Sequence, residues 1–215
     1  MSGIDFRGKE AGTNDLDPRF SPDGSEIAFS SWLDNRFDIL PHKPNSVLPA
    51  TYAPARDEPY GDILQGREFD NVEAKFQVSL KYIAIEDFIS DSFDVEFAFT
   101  ATSWWQAYNS DISAPFRETN YEPELIFNYK KPWKFFGIPV ANSYISLNHQ
   151  SNGQAGRLSR SWNRVIGGVA FVKGDVTWGL RTWWRLPEDD KEFTGSPEGD
   201  DNPNIERYLG YGEVG

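Results

Sequence analysis

Apolar and polar residues alternate with a period of two along several stretches of this 215-residue sequence, and this period restricts the fold more than any other feature. Between residues 72 and 84 the even positions are apolar or small, and all but one of the odd positions are polar or charged. A helix would scatter these residues around its circumference, whereas a strand places them on opposite faces. The alternation recurs at residues 93–102, 124–130, 141–151 and 176–185. We therefore predict an all-β fold with long strands.

Ionisable residues fall mostly on one face of each predicted strand. A closed sheet with these residues inside must be hydrated or internally paired, because burying a lone charge costs several kcal/mol. This favours a barrel with a polar interior, although a sandwich with its charged faces in water also satisfies the pattern. No apolar run approaches the roughly 18 residues of a transmembrane helix, but membrane strands need no such run. The 8 Trp, 9 Tyr and 16 Phe suit aromatic girdles or a large soluble sheet.

Composition excludes several function classes. The formal net charge is −12, and binding of nucleic acid requires clustered Lys and Arg, so we expect no nucleic-acid partner. Without Cys the chain has neither disulfides nor thiol catalysis. His42 and His149 are its two imidazoles, so a zinc site of His and Cys is not expected.

Chemistry-bearing residues cluster in two neighbouring runs, at residues 148–153 and 159–164. If these runs are antiparallel strands joined by a short loop, His149 lies opposite Asn163, with Ser151 two residues further on. A serine hydroxyl becomes a nucleophile when a base removes its proton, and the base works best when a third group orients it. Ser151, His149 and Asn163 have the chemistry for these three roles. A lone His-x-Ser pair is also common by coincidence in sheets.

The alternation between residues 141 and 151 places His149 and Ser151 on the more apolar face of their strand. In a soluble sandwich that face would be the core. In a membrane barrel it would be the wall that faces lipid, with the pair near the end of the apolar band.

The chain resembles the outer-membrane phospholipase A family of Gram-negative bacteria in three runs, at residues 115–123 (PFRETNYEP), 149–153 (HQSNG) and 159–164 (SRSWNR). The resemblance extends from about residue 36 to residue 215. It implies an antiparallel transmembrane β-barrel, twelve-stranded in the family, in the bacterial outer membrane. It also implies a homodimer that hydrolyses acyl ester bonds of glycerophospholipids and lysophospholipids.

The resemblance further implies roles for individual residues. Ser151 would be the nucleophile, His149 the general base, Asn163 the orienting residue and Gly153 an oxyanion donor through its backbone amide. Calcium would be the cofactor, since hard oxygen ligands suit it. Its ligands would be the Ser159 hydroxyl, the Gln154 backbone carbonyl and Ser113, contributed by the other subunit. From the residues alone, Ser113, Gln154 and Ser159 are equally well explained as surface-loop residues, and Gly153 as a turn residue.

The resemblance divides the chain into residues 1–35, which have no assigned role, and a barrel domain at residues 36–215. Periodicity places seven or eight strands, fewer than the family's twelve, so we expect the barrel to be incomplete at its C-terminus. Residues 187–204 should form a long surface loop before a last strand starting near Ile205. Prolines around His42 predict an extended loop or an edge element and not a central strand, with this histidine in solvent.

Two other functions fit the same sequence. A barrel of the same fold that only transports or binds would use His149 and Ser151 as polar residues at the membrane boundary. A soluble acidic sheet protein that binds hydrophobic ligands would be extracted without detergent.

Overall fold

The computed structural model describes residues 19–20, 27–28, 39–54, 60, 64, 67–112, 115–193, 196 and 198–215. The segment at residues 1–35 lies outside this set except for two short strands that pair with each other, β1 (Arg19–Phe20) and β2 (Ile27–Ala28). The division into residues 1–35 and 36–215 therefore stays a prediction. Among the helices of the described residues, none is long and apolar enough to cross a membrane.

The remaining strands form one antiparallel sheet of ten strands. They are β3 (Ile39–Pro41), β4 (Ser46–Tyr52), β5 (Val72–Ile85), β6 (Phe93–Trp105), β7 (Phe116–Tyr129), β8 (Trp133–Phe135), β9 (Ile138–Ser151), β10 (Ser161–Lys173), β11 (Val176–Arg185) and β12 (Gly212–Val214). Their order is β12-β11-β10-β9-β7-β6-β5-β3, with β4 also on β5 and β8 on β9. The predicted all-β antiparallel fold is confirmed. Within the described residues no ladder joins β12 to β3 or β4, so the sheet is open along that line.

Five long strands form where the two-residue alternation predicts them, and a sixth, β10, forms where the predicted hairpin requires it. The short strands explain the low predicted count. Strands β3, β8 and β12 have three residues each, too few to show a period. The predicted edge element is confirmed, because in the described part of the chain β3 and β4 pair with β5 and with no other strand. The predicted strand start near Ile205 is wrong. The amide of Leu209 bonds back to the Ile205 carbonyl at 3.0 Å, which opens the short helix α1 (Glu206–Leu209), and β12 begins only at Gly212.

The two faces of the sheet are inverted relative to a water-soluble protein. Large apolar side chains on the outward face are exposed, including Phe99 (44%), Ile145 (60%) and Leu147 (49%). Acidic side chains on the inward face are buried, including Glu73 and Glu124 at 1% each. Such an apolar exterior around a polar interior is typical of a barrel in lipid and not of a soluble sandwich.

Several charged side chains on the inward face are paired with one another, which offsets the cost of burying them. Arg117 makes a two-pronged contact with Glu73 at 2.6 and 2.8 Å. Glu124 accepts a hydrogen bond of 2.6 Å from Ser146, and its other oxygen lies 3.1 Å from Nε2 of His42. The expectation that His42 is in solvent is therefore wrong, since its side chain is only 10% exposed. The loop after β3 folds inward over the polar face, a direction that its prolines do not reveal.

Candidate active site

The hairpin formed by β9 and β10 has the predicted register. Asn163 pairs with His149, and Ser161 pairs with Ser151. A 3-10 turn, Gly156–Leu158, lies within the connecting loop. The hairpin thus brings a hydroxyl, an imidazole and an amide together at the end of two strands.

Asn152 organises the loop that follows the nucleophile candidate. Its side chain is 5% exposed, and its amide nitrogen donates to the Leu158 carbonyl at 2.8 Å. Its amide oxygen accepts from the backbone N–H groups of Gln154 at 3.2 Å and Arg160 at 3.0 Å. We did not predict this role from the sequence, although an Asn at a strand end is a known signal for such side-chain-to-backbone turns.

His149 and Asn163 are joined by a hydrogen bond between neighbouring strands. Nδ1 of His149 lies 2.8 Å from Oδ1 of Asn163. When Nδ1 carries the ring proton, the amide oxygen accepts it and Nε2 keeps the lone pair that a general base needs. The contact is therefore compatible with a base and its orienting residue.

Ser151 lies two residues from His149 on the same strand, so both side chains belong to one face. Among the described residues its hydroxyl oxygen accepts a 3.0 Å hydrogen bond from the Gly153 amide and makes none with His149. Contacts between nucleophile and base are often open in a protein without substrate. The Gly153 amide thus points at the Ser151 oxygen, next to where an oxyanion would form if Ser151 is a nucleophile.

Gly153 has a φ of +66°, a left-handed conformation that other residues adopt only with strain. The turn role and the amide-donor role of Gly153 are compatible, because the positive φ serves the turn while the backbone N–H donates to Ser151.

Two of the three residues expected to bind calcium, Gln154 and Ser159, lie around the 3-10 turn. The Ser159 hydroxyl donates to Oδ2 of Asp201 at 2.6 Å, and Lys191 forms an ion pair of 2.5 Å with Oδ1 of the same carboxylate. Ser159, Lys191 and Asp201 line a cleft of about 510 Å³. Gln154 belongs to the same loop, whereas Ser113 lies outside the described residues.

This donor set fits calcium in its chemistry. Burial alone would raise the pKa of Asp201, but hydrogen bonds from Lys191, Ser159 and Ser161 outweigh it and lower that pKa, so the carboxylate beside Ser159 is ionised. A hydroxyl, a backbone carbonyl and a nearby carboxylate are all hard oxygen donors. Within the part of the chain that is described, no group of three His, Cys, Asp or Glu side chains forms a metal cluster of its own.

The triad candidates border an apolar surface. Tyr121 is 45% exposed, pairs with Ser151 across β7 and β9, and stacks on Phe99 with ring centroids 6.4 Å apart. Leu147 precedes His149 on the same outward face and is 49% exposed. An acyl chain in a bilayer could therefore lie beside the hydroxyl without leaving an apolar environment.

Two acidic residues of the site escaped the sequence analysis. Oε1 of Glu188 accepts a 2.9 Å hydrogen bond from the Asn163 amide, and Asp201 accepts the Ser159 hydroxyl. Both belong to the segment at residues 186–205, where several carboxylates follow one another without a period. No signal in the sequence singles out these two.

Comparison with known proteins agrees with this architecture. The sequence model of the family "Phospholipase A1" matches residues 28–215. Phospholipase A1 from Klebsiella pneumoniae is 33% identical over 178 residues, which cover 83% of this chain and 59% of the relative. Phospholipase A1 from Escherichia coli K12 is 30% identical over the same share of this chain and 58% of its own. The chain thus spans about three fifths of the length of the curated relatives it matches.

Solved structures show the same fold. The outer membrane phospholipase A from Escherichia coli superimposes with a TM-score of 0.69 at 29% identity, covering 81% of this chain and 68% of that one. The Salmonella typhi outer membrane phospholipase dimer with bound calcium gives 0.70 at 30% identity, covering 84% and 67%. The match over residues 28–215 and these superpositions confirm the resemblance: the chain belongs to the phospholipase A1 family.

Proposed function

We propose that this protein is a calcium-dependent outer-membrane phospholipase, in which Ser151 is the nucleophile, His149 the general base and Asn163 the orienting residue. The observation that carries the proposal is the 2.8 Å contact between His149 and Asn163, on the same outward face as Ser151. The substrates would be the acyl esters of glycerophospholipids and lysophospholipids; the names of the relatives support the phospholipid class.

The reaction would proceed through an acyl-enzyme. His149 takes the Ser151 proton at Nε2 while Oγ attacks the ester carbonyl carbon. The carbonyl oxygen becomes an oxyanion, and the Gly153 amide donates to it. Collapse breaks the bond to the glycerol oxygen, which receives the proton from His149 and leaves as a lysolipid. Water then attacks the acyl-serine with His149 as base, which releases the fatty acid and restores Ser151.

Calcium would be held by Ser159, the Gln154 carbonyl and Ser113 of the partner subunit. The bound ion would supply positive charge near the developing oxyanion. Because the Ser159 hydroxyl donates its hydrogen bond to Asp201, the lone pairs of the hydroxyl oxygen are free to face the ion. A dimer with bound calcium among the relatives supports this arrangement.

The inverted sheet supports placement in the outer membrane. The apolar side chains exposed on the same face as His149 are suited to contact with lipid. An insoluble substrate could then reach the site by lateral diffusion in the membrane. A soluble lipid-binding sheet protein would not present this face to water.

Release of fatty acid from phospholipid in detergent micelles tests the proposal, together with covalent labelling of Ser151 by a sulfonyl fluoride. A barrel that only transports or binds predicts neither. Absence of both in the folded protein with calcium would overturn the assignment.

A further inference from the structure

The hydrogen bonds that lead away from His149 continue beyond Asn163. The Nδ2 group of Asn163 donates to Oε1 of Glu188 at 2.9 Å. Glu188 is half-buried and lies three residues beyond the end of β11. The Leu186 amide donates to the Asn163 carbonyl at 2.8 Å, so the backbone just before Glu188 is fixed against β10.

We propose that Glu188 is a positioning residue for the triad, acting on His149 through Asn163. This inference rests on the proposed function, because it assigns Glu188 to the reaction of that same site. Glu188 has no contact with His149 or Ser151 in the described residues, and its effect passes through the amide between them.

The first effect of Glu188 is to fix the orientation of the Asn163 amide. An amide is nearly symmetric in shape, so a flip would present Nδ2 to the imidazole instead of Oδ1. An ionised carboxylate only accepts hydrogen bonds, so the atom that faces Glu188 must be Nδ2. Oδ1 then faces His149 and requires the proton on Nδ1. The Nε2 atom, which has to accept the Ser151 proton, is thereby left unprotonated.

The second effect is electrostatic. During attack His149 becomes an imidazolium, and a neutral Asn stabilises this charge less than the Asp more usual in serine triads. A carboxylate bonded to the far side of the amide polarises it and makes Oδ1 a stronger acceptor. Glu188 would thus supply the negative charge that the triad lacks, acting through Asn163 and not by direct contact with His149. Because the side chain is only half-buried, solvent screens part of this contribution.

Steady-state kinetics in detergent micelles with calcium test the proposal. Glu188→Ala should lower kcat by about tenfold, a typical loss when the hydrogen-bond partner of an orienting side chain is removed. It should leave KM unchanged, because Glu188 is remote from the ester. Glu188→Gln keeps an acceptor but not the charge and should be intermediate. Asp189→Asn changes the charge at the next residue, which is exposed, and should leave kcat unchanged. A wild-type kcat in Glu188→Ala would overturn the proposal.

A double-mutant cycle separates positioning from a general structural role. In the Asn163→Ala background, Glu188→Ala should cause no further loss, because its route to His149 has been removed. A further loss as large as that in the wild type would overturn the proposal. The β-strand signal in far-UV circular dichroism serves as the check that each variant is folded.

An assay that needs no turnover distinguishes failure of this inference from failure of the proposed function. The ring nitrogens of isotope-labelled histidine report the tautomer, and the His149 signals are those lost in His149→Ala. We expect a single Nδ1–H tautomer in the wild type and a mixture in Glu188→Ala. A protein that releases no fatty acid but shows this change would overturn the phospholipase and support the role of Glu188. An unchanged tautomer in Glu188→Ala would overturn that role in an active enzyme.

Discussion

The hydroxyl of Ser159 donates a 2.6 Å hydrogen bond to Oδ2 of Asp201 and thereby ties the loop after β9 to the segment after β11. The same carboxylate oxygen accepts the Ser161 hydroxyl at 2.8 Å. One acidic side chain from a distant loop thus orients a hydroxyl that we assign to calcium.

Asp201→Asn should raise the calcium concentration required for half-maximal activity by about tenfold, because Ser159 loses the charged acceptor that directs its lone pairs. Ser161→Ala is the matched control, since it removes the other hydroxyl on the same carboxylate and should change the requirement little. Fatty-acid release titrated with calcium measures both. An equal calcium requirement in Asp201→Asn and wild type would contradict the assignment.

Acid should release the segment at residues 186–205. The pKa of Asp201 is lowered from 3.8, because the hydrogen bonds from Lys191, Ser159 and Ser161 outweigh the effect of burial. A carboxyl with a lowered native pKa contributes its full stability above the unfolded value and loses it as the pH falls through the native one. Anchoring should therefore be complete above pH 3.8 and weaken below it. Pepsin cleavage within this segment should rise over that window, and Asp201→Asn should be cleaved at all pH values tested.

Ser151→Ala should reduce fatty-acid release by roughly a thousandfold or more, because it removes the hydroxyl that would form the acyl-enzyme. Its fold should be retained, because only a partly exposed hydroxyl is removed. Ser143→Ala, on the same strand and face, is the control and should keep full activity. Undiminished release by Ser151→Ala would sink the nucleophile assignment.

Asn163→Ala should lower kcat by roughly ten- to a hundredfold without abolishing turnover, because base and nucleophile remain. The measurement is kcat at saturating calcium. A loss as large as that of Ser151→Ala would contradict the prediction that Asn163 only orients His149.

Calcium and dimerisation should favour each other. If Ser159 of one subunit and Ser113 of the partner subunit share an ion, each event must strengthen the other by linkage. Ala101 presents only a methyl group on the outward face, where a polar residue could form a hydrogen bond across a lipid-facing interface. Compared with a dimer that has such a bond, this dimer should be weaker by about 1 kcal/mol, yet it should still form. Analytical ultracentrifugation in detergent, with and without calcium, checks this. If the monomer fraction did not change with calcium while activity still depended fully on calcium, a shared ion would be ruled out.

The strands and the triad contact were predictable because they depend on local periods. Alternation places His149 outward, and symmetry about a short loop sets it opposite Asn163. The contacts of Glu188 and Asp201 were not predictable, because a loop without a period gives no direction to its side chains. The prediction for His42 was wrong for the same reason. The neighbouring prolines indicate a loop, but they do not indicate that the loop turns inward onto Glu124.

The loop that carries His42 has a consequence for the permeability of a membrane. Lys43 binds Glu122 at 2.7 Å, and the Asn45 side chain accepts from the Ser79 amide at 2.6 Å, so this loop lies across the polar face and links it by ion pairs and hydrogen bonds. Ser79 is fully buried beneath it. Side chains of this loop therefore cover this part of the polar face. In a membrane, a solute that moves along the polar face would meet this loop, so we expect the loop to narrow the path open to it.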